Sequence, residues 1–131
     1  LDDWDNEYYR YEPDAETVAK LEDNMPDVDI KIVFGSWCGD SQREVPRLWK
    51  ILDQIGYPVD EVSMMAVGSS SFTPEMGIDQ RLLDWSAAVK KRYAVERVAT
   101  IILYRDGKEL GRIEETPEGT LEEDLLRITA R

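Results

Sequence analysis

A single cysteine, Cys38, is the residue that most restricts what this chain can fold into. The sequence has 131 residues, with one cysteine and no histidine. One cysteine cannot form an internal disulfide, so the chain is not a disulfide-stapled secreted module. The lack of histidine excludes Ser-His-Asp and Cys-His catalysis, and it also excludes His-ligated metal sites. Any chemistry must therefore come from Cys38, carboxylates, lysines, hydroxyls or backbone dipoles.

Composition and charge narrow the class of protein further. Apolar residues make up 42% of the chain and aromatic residues 9%, which is enough to bury the core of one domain of this length. The formal net charge is −12, and no cluster of basic residues stands out, so no nucleic-acid partner is expected. The apolar runs are too short to predict a membrane span. No metal site or cofactor is expected either.

The N-terminal segment differs from the rest of the chain. Residues 1–13 are acidic and rich in tyrosine, and we interpret them as an arm that packs on the domain or on a partner. Residues 14–131 are expected to form one domain. The first residues lack the basic and then apolar pattern of a signal peptide. The compartment is left open: cytoplasmic or, if a leader was removed, extracytoplasmic.

The hydrophobic pattern predicts an alternation of helices and strands. The predicted elements are a helix capped by Asp14, a strand at 30–34, a helix carrying Val45, Leu48, Trp49 and Leu52, an inner strand at 61–67, a helix at 79–93, strands at 100–104 and 109–113, and a helix opened by Thr120. Asp106-Gly107 between the last two strands is a hairpin signal. Helical crossovers between inner strands imply parallel pairing, and the hairpin adds an antiparallel edge. Trp49 and Trp85 are predicted to be core residues.

Cys38 falls where the buried strand at 30–34 gives way to a helix. A sulfur at a helix N-terminus meets free backbone N–H groups and the positive end of the helix dipole, and both favour the thiolate. Ser41 lies three residues on, so its hydroxyl is expected to face the sulfur across one turn. Ser41 and Glu44 also have the spacing of a capping box. Pro46 lies inside this helix and predicts a bend there.

These features, taken in order, resemble the thioredoxin-like family. The resemblance rests on Trp37-Cys38-Gly39-Asp40-Ser41 after a buried strand, Pro46 eight residues beyond the cysteine, Arg97-Val98-Ala99-Thr100, the Asp106-Gly107-Lys108 hairpin and a final helix. It implies an α/β fold in which helices flank both faces of a central mixed sheet. It also implies thiol–disulfide exchange through Cys38, assisted by Ser41. The substrate would contact Trp37, Gly39, Asp40, Val98, Ala99 and Thr100.

Three positions depart from the family's pattern. Ser41 stands where thioredoxins carry a second cysteine, so a mixed disulfide would persist until an outside thiol released it. Ala99 stands where the family has a cis-proline. Because a cis bond before any other residue costs about 2.5–4 kcal/mol, the Val98–Ala99 bond is expected to be trans, with the substrate-binding backbone displaced. Ile32 replaces a buried acid and cannot move a proton.

Two functions from different classes remain open. One is a monothiol thiol–disulfide oxidoreductase whose partners are protein thiols or disulfides, or an external low-molecular-weight thiol. In that case Ser41 and Ala99 are either natural features or substitutions that disable or trap the site. The other is a non-catalytic module that binds a peptide or protein around Trp37, Val98 and Ala99. A weaker alternative compares Cys38-Gly39-Asp40-Ser41 with the Cys-Gly-Phe-Ser of monothiol glutaredoxins.

Overall fold

A four-stranded mixed sheet forms the centre of the structure, a computed structural model that describes residues 2–131. The strands are β1 (Val28–Phe34), β2 (Ser63–Ala66), β3 (Thr100–Arg105) and β4 (Lys108–Glu114), in the order β2-β1-β3-β4. β1 pairs parallel with β2 and antiparallel with β3, and β3 pairs antiparallel with β4. The helices are α1 (Asp2–Arg10), α2 (Ala15–Asn24), α3 (Gly39–Ile55), α4 (Gln80–Arg92) and α5 (Leu121–Thr129). The expected sheet with parallel and antiparallel pairs is confirmed.

The alternation of side chains along β1 divides the core between the two faces of the sheet. Ile30 and Ile32 point into a cluster that also holds buried residues of α2, α3 and α5. Val33 points to the opposite face, where it packs with Val89 of α4 and Ile102 of β3. Successive residues of a strand point to opposite faces, so a strand that is apolar on both must be covered twice. Helices therefore flank both faces of the sheet, as predicted.

Local signals place most of the element boundaries. The Asp14 carboxylate accepts a hydrogen bond from the Thr17 amide at 3.0 Å and caps α2. Thr120 caps α5 in the same way, through the Glu123 amide. Asp106 and Gly107 both have positive φ, at 54° and 78°, which is the backbone of the tight turn that matches the twist of a hairpin.

Two predictions about the second strand and its helix are wrong. β2 is shorter than the predicted 61–67 and lies at the edge of the sheet, not inside it. An inner position would need a second strand paired with β2 on the side away from β1, and the described residues contain no such strand. Trp85 is 49% exposed instead of buried, because its indole leans on the open edge and donates to the Ala66 carbonyl at 2.9 Å.

The N-terminal arm contains a helix that packs on α3. The Tyr8 hydroxyl donates to Asp53 at 2.6 Å, and the Lys50 ammonium donates to the Tyr8 carbonyl at 3.1 Å. The Trp4 ring meets the edge of Phe34 at 6.1 Å between centroids. Within residues 2–131, no helix combines the length and the apolar character that crossing a membrane requires.

Candidate active site

Cys38 is the N-cap of α3 and is partly exposed. The first helical hydrogen bond runs from the Gln42 amide to the Cys38 carbonyl at 3.0 Å. The amides of residues 39–41 precede that bond, so they are the free donors that a helix leaves at its start. The prediction that the helix begins at the cysteine is confirmed, whereas the capping box at Ser41 and Glu44 is wrong because both residues lie inside α3.

The Cys38 sulfur lies against the turn before β3. The Sγ atom donates to the Val98 carbonyl oxygen at 3.3 Å, a contact made by the thiol and not by the thiolate. The side chain also packs on the apolar cluster that contains Val33, Val67 and Val98. One side of the sulfur is therefore held by the protein, and the residue as a whole is partly exposed.

Ser41 does not face the sulfur as expected. Its side chain is fully buried, and its Oγ accepts a hydrogen bond from the Gly35 amide at 3.1 Å. Gly35 directly follows β1 and Ser41 lies in the first turn of α3, so this bond fixes the turn that presents Cys38. Among the described residues, no hydrogen bond joins Ser41 to the cysteine sulfur.

Trp37 is held in one orientation beside Cys38. Its Nε1 donates to the Val67 carbonyl at 2.9 Å, and its ring meets Phe72 edge-on at 5.9 Å between centroids. A Cβ at Gly35 would lie 2.5 Å from the indole carbon Cε2, so only glycine leaves room for this ring. Trp37 remains 43% exposed and offers an apolar surface next to Cys38.

Phe72 is a residue of the site that the sequence analysis missed. It comes from the loop between β2 and α4, and the contact depends on how that loop folds back. Gly68, at the start of the loop, is held by a hydrogen bond from its amide to Ser86 Oγ at 2.8 Å. The breaker residues around 68–74 predict a loop, but no periodicity in them indicates where an aromatic side chain comes to lie.

The Val98–Ala99 peptide bond is cis, and the expectation of a trans bond is wrong. That expectation considered one bond alone, whereas tertiary contacts hold the carbonyls on both sides of it. The Val98 carbonyl accepts from Cys38 Sγ at 3.3 Å, and the Ala99 carbonyl accepts from the Glu115 amide at 2.7 Å. The backbone at Val98 lies directly against the Cys38 sulfur.

The other predicted site residues differ in how accessible they are. The space beside Gly39 is open, since a Cβ there would meet no atom within 4 Å. Asp40 forms an ion pair with Arg43 at 2.8 Å. Thr100 is buried, and its hydroxyl donates to the Arg97 carbonyl, so its side chain is not available to a substrate.

A buried carboxylate lies deeper in the same helix. Glu44 is only 1% exposed; its Oε2 accepts from Arg43 Nε at 2.5 Å, and its Oε1 has no partner among the described residues. Burial raises the pKa of Glu44 above its ordinary value of 4.5, and the ion pair with Arg43 lowers it by less. Across residues 2–131, no three acidic or thiol side chains come together in a way that could hold a metal ion.

Comparison with solved structures identifies the fold. The thioredoxin of Fasciola hepatica matches with a TM-score of 0.50 and 20% identity, over 86% of this chain and 91% of that chain. Trxlp of Edwardsiella tarda matches with a TM-score of 0.51 and 18% identity, over 91% and 97% of the two chains. A protein of unknown function from Pseudomonas aeruginosa matches with a TM-score of 0.61 and 13% identity, over 99% and 84%.

Sequence comparison adds no closer relative. No protein-family model matches this chain, and no curated protein matches it. Structural matches at 13–20% identity establish architecture and leave the chemistry to the site itself. The order of the strands, the helices on both faces and these matches together show that the chain has the thioredoxin-like α/β fold.

Proposed function

We propose that this chain is a monothiol thiol–disulfide oxidoreductase that acts through Cys38 on protein disulfides or mixed disulfides. The observation that supports the proposal is the position of Cys38, a partly exposed N-cap whose sulfur lies 3.3 Å from the Val98 carbonyl oxygen. The free amides of the first turn of α3 and its dipole favour negative charge at that position. Gly39 leaves the approach open, and Trp37 supplies an apolar surface.

The proposed reaction consists of two exchanges. The Cys38 thiolate attacks one sulfur of a substrate disulfide, so that a Cys38–substrate disulfide forms and the second substrate sulfur leaves as a thiolate. An external low-molecular-weight thiolate then attacks the substrate sulfur of that mixed disulfide. It becomes disulfide-bonded to the substrate, and Cys38 leaves as the thiolate again. Ser41 carries no sulfur, so the chain itself cannot perform the second exchange.

Mass spectrometry of the mixed disulfide tests this reaction. The reduced protein is incubated with a peptide disulfide, and we expect one peptide per chain to accumulate on Cys38 and to be released by added glutathione. Ser41→Cys places a second thiol one turn away and is expected to release the peptide without glutathione. Ser71→Cys, a matched control on an exposed loop, should instead acquire a second adduct. An adduct that never forms, or that resolves without any added thiol in the unmodified protein, rules out the proposal.

The alternative is a non-catalytic binding module built on the same surface. It is favoured by Ile32, which is fully buried and offers no group for proton transfer near the site. It is also favoured by the Cys38 thiol, which already donates to the Val98 carbonyl. The oxidoreductase requires the Cys38 sulfur, whereas the binding module does not. Full partner binding and full cellular function in a Cys38→Ala variant would support the binding module.

A further inference from the structure

A groove on the side of the molecule formed by α1 and β2 is not used by the proposed reaction. Two adjoining cavities, of about 290 and 350 Å³, share Trp4 and Met64 in their walls. The aromatic and aliphatic side chains that line them include Trp4, Tyr8, Phe34, Pro46, Trp49 and Met64. Met64 is 39% exposed, so this apolar surface is open to solvent along the edge of the sheet.

The wall contributed by α1 is fixed in place. The Glu7 carboxylate accepts from Arg47 Nε at 2.5 Å, and the Tyr8 hydroxyl donates to Asp53 at 2.6 Å. The Lys50 ammonium also lies 4.9 Å from the centre of the Tyr8 ring. Both basic residues are therefore occupied in holding α1 on α3, and the groove exists before any partner arrives.

The backbone of β2 is available along the same groove. The Val67 amide bonds to the Phe34 carbonyl of β1, and backbone groups alternate sides along a strand, so those of Met64 and Ala66 point away from β1. The Ala66 carbonyl is taken by the Trp85 indole, which agrees with that direction. In the described part of the chain, three backbone groups of this edge are left without a strand partner: the Met64 amide, the Met64 carbonyl and the Ala66 amide. An edge of this kind can pair with an added strand.

The charge around the groove indicates what kind of segment fits. Asp5 lines the first cavity, and Asp60 precedes β2, whereas Glu61 lines a separate cavity with Lys31 and Ser63. All three are exposed, and none forms an ion pair with another described residue. A second copy of this chain would bring another net charge of −12 against them, and like charges oppose association. Lysine and arginine side chains would be attracted.

We propose that this groove docks an extended segment of a partner protein that combines large apolar with basic side chains and adds as a strand beside β2. The apolar side chains fill the cavities at Trp4 and Met64. The basic side chains pair with Asp5 and Asp60. Docking of this kind does not involve Cys38 and stands whether or not the proposed reaction occurs.

Selection from a random seven-residue peptide library displayed on phage tests the proposal. We expect the selected peptides to carry a net positive charge and at least one large apolar residue. Their synthetic, dye-labelled forms should bind the whole chain in fluorescence anisotropy. Met64→Lys places a charge in the groove and is expected to weaken binding about tenfold or more. Cys38→Ala is expected to leave binding unchanged.

Met76→Lys is the matched control, since Met76 is 63% exposed on the loop before α4 and the substitution changes net charge equally. It is expected to weaken binding less than about twofold, through long-range charge alone. Equal losses in the two variants, acidic selected peptides, or no enriched peptide would overturn the proposal. So would a dimer in sedimentation that Met64→Lys dissociates, because the occupant would then be a second copy. Circular dichroism and thermal unfolding establish that both variants are folded.

Discussion

Single residues at the turn between β1 and α3 decide how Cys38 is presented. Ser41 was predicted as a partner of the sulfur, and the structure shows it as the acceptor for the Gly35 amide. Gly35 itself is needed because the Trp37 ring lies where a side chain would be. Gly35 and Ser41 therefore shape the turn. The sulfur itself lies at the start of α3 and contacts the Val98 carbonyl.

Gly35→Ala is predicted to displace the Trp37 indole. The new Cβ would lie 2.5 Å from the ring, a contact that real structures do not tolerate, so the ring must move and its bond to the Val67 carbonyl is lost. The Trp37 indole N–H signal in NMR should shift and exchange faster with solvent. Gly39→Ala is the control, because a Cβ there meets nothing within 4 Å. An unchanged Trp37 signal in Gly35→Ala would contradict the described packing.

Glu44→Gln is predicted to change how stability depends on pH. The native protein holds the Glu44 proton at pH values where the unfolded chain has released it, since burial raises the pKa of the native carboxyl above 4.5. The free energy of unfolding of the unmodified protein, relative to the glutamine variant, must then fall as pH rises through that window.

Urea unfolding of both proteins at a series of pH values measures this difference. Below pH 4.5 the difference in the free energy of unfolding between the variant and the unmodified protein does not change with pH. Above pH 4.5 the variant gains stability relative to the unmodified protein, until Glu44 is ionised in the native state. Glu96→Gln is the control, because Glu96 is exposed and this substitution removes the same single negative charge. A difference between Glu44→Gln and the unmodified protein that stays constant across the series is inconsistent with a buried carboxyl of raised pKa.

At the scale of whole elements, the hydrophobic periodicity predicted whether a segment is a helix or a strand better than it predicted where that element lies in the fold. The helix after Asp14, the hairpin at 106–107 and the last helix follow local signals, and the structure contains all three. The place of β2 at the sheet edge does not follow from its own residues, because it depends on which other strands exist. The helix in the N-terminal arm was not predicted, since its stability comes from packing against α3 more than from propensity.

Tyr11→Phe is predicted to loosen the connection between the N-terminal elements and α5. The Tyr11 hydroxyl donates to the buried Glu122 carboxylate, which also accepts the Asp14 amide at 2.6 Å. Removing the hydroxyl leaves a buried carboxylate short of one donor, at a cost of about 1–3 kcal/mol in the free energy of unfolding. Urea unfolding of Tyr9→Phe gives the control, because Tyr9 is 76% exposed. Equal stabilities for the two variants would count against the bond.

For the molecule as a whole, the sequence was sufficient for the fold class and for the position of Cys38 at the start of a helix. The strand before Cys38 and the helix after it are local features, and they predicted the N-terminal placement of the sulfur. The cis bond at Ala99 and the Phe72 contact with Trp37 depend on segments far apart in the chain. Neither leaves a periodic signal, which is why only the folded molecule reveals them.

If the fold makes the Cys38 sulfur a reactive nucleophile, as proposed, its rate of reaction with dithionitrobenzoate shows this most directly. The chain has one cysteine, so the absorbance of the released thiolate reports on that residue alone. The rate constant is measured for the folded protein and for the same protein unfolded in urea, between pH 5 and 9. We predict faster reaction in the folded protein than in the unfolded chain. A folded rate equal to or below the unfolded rate at every pH would contradict the account.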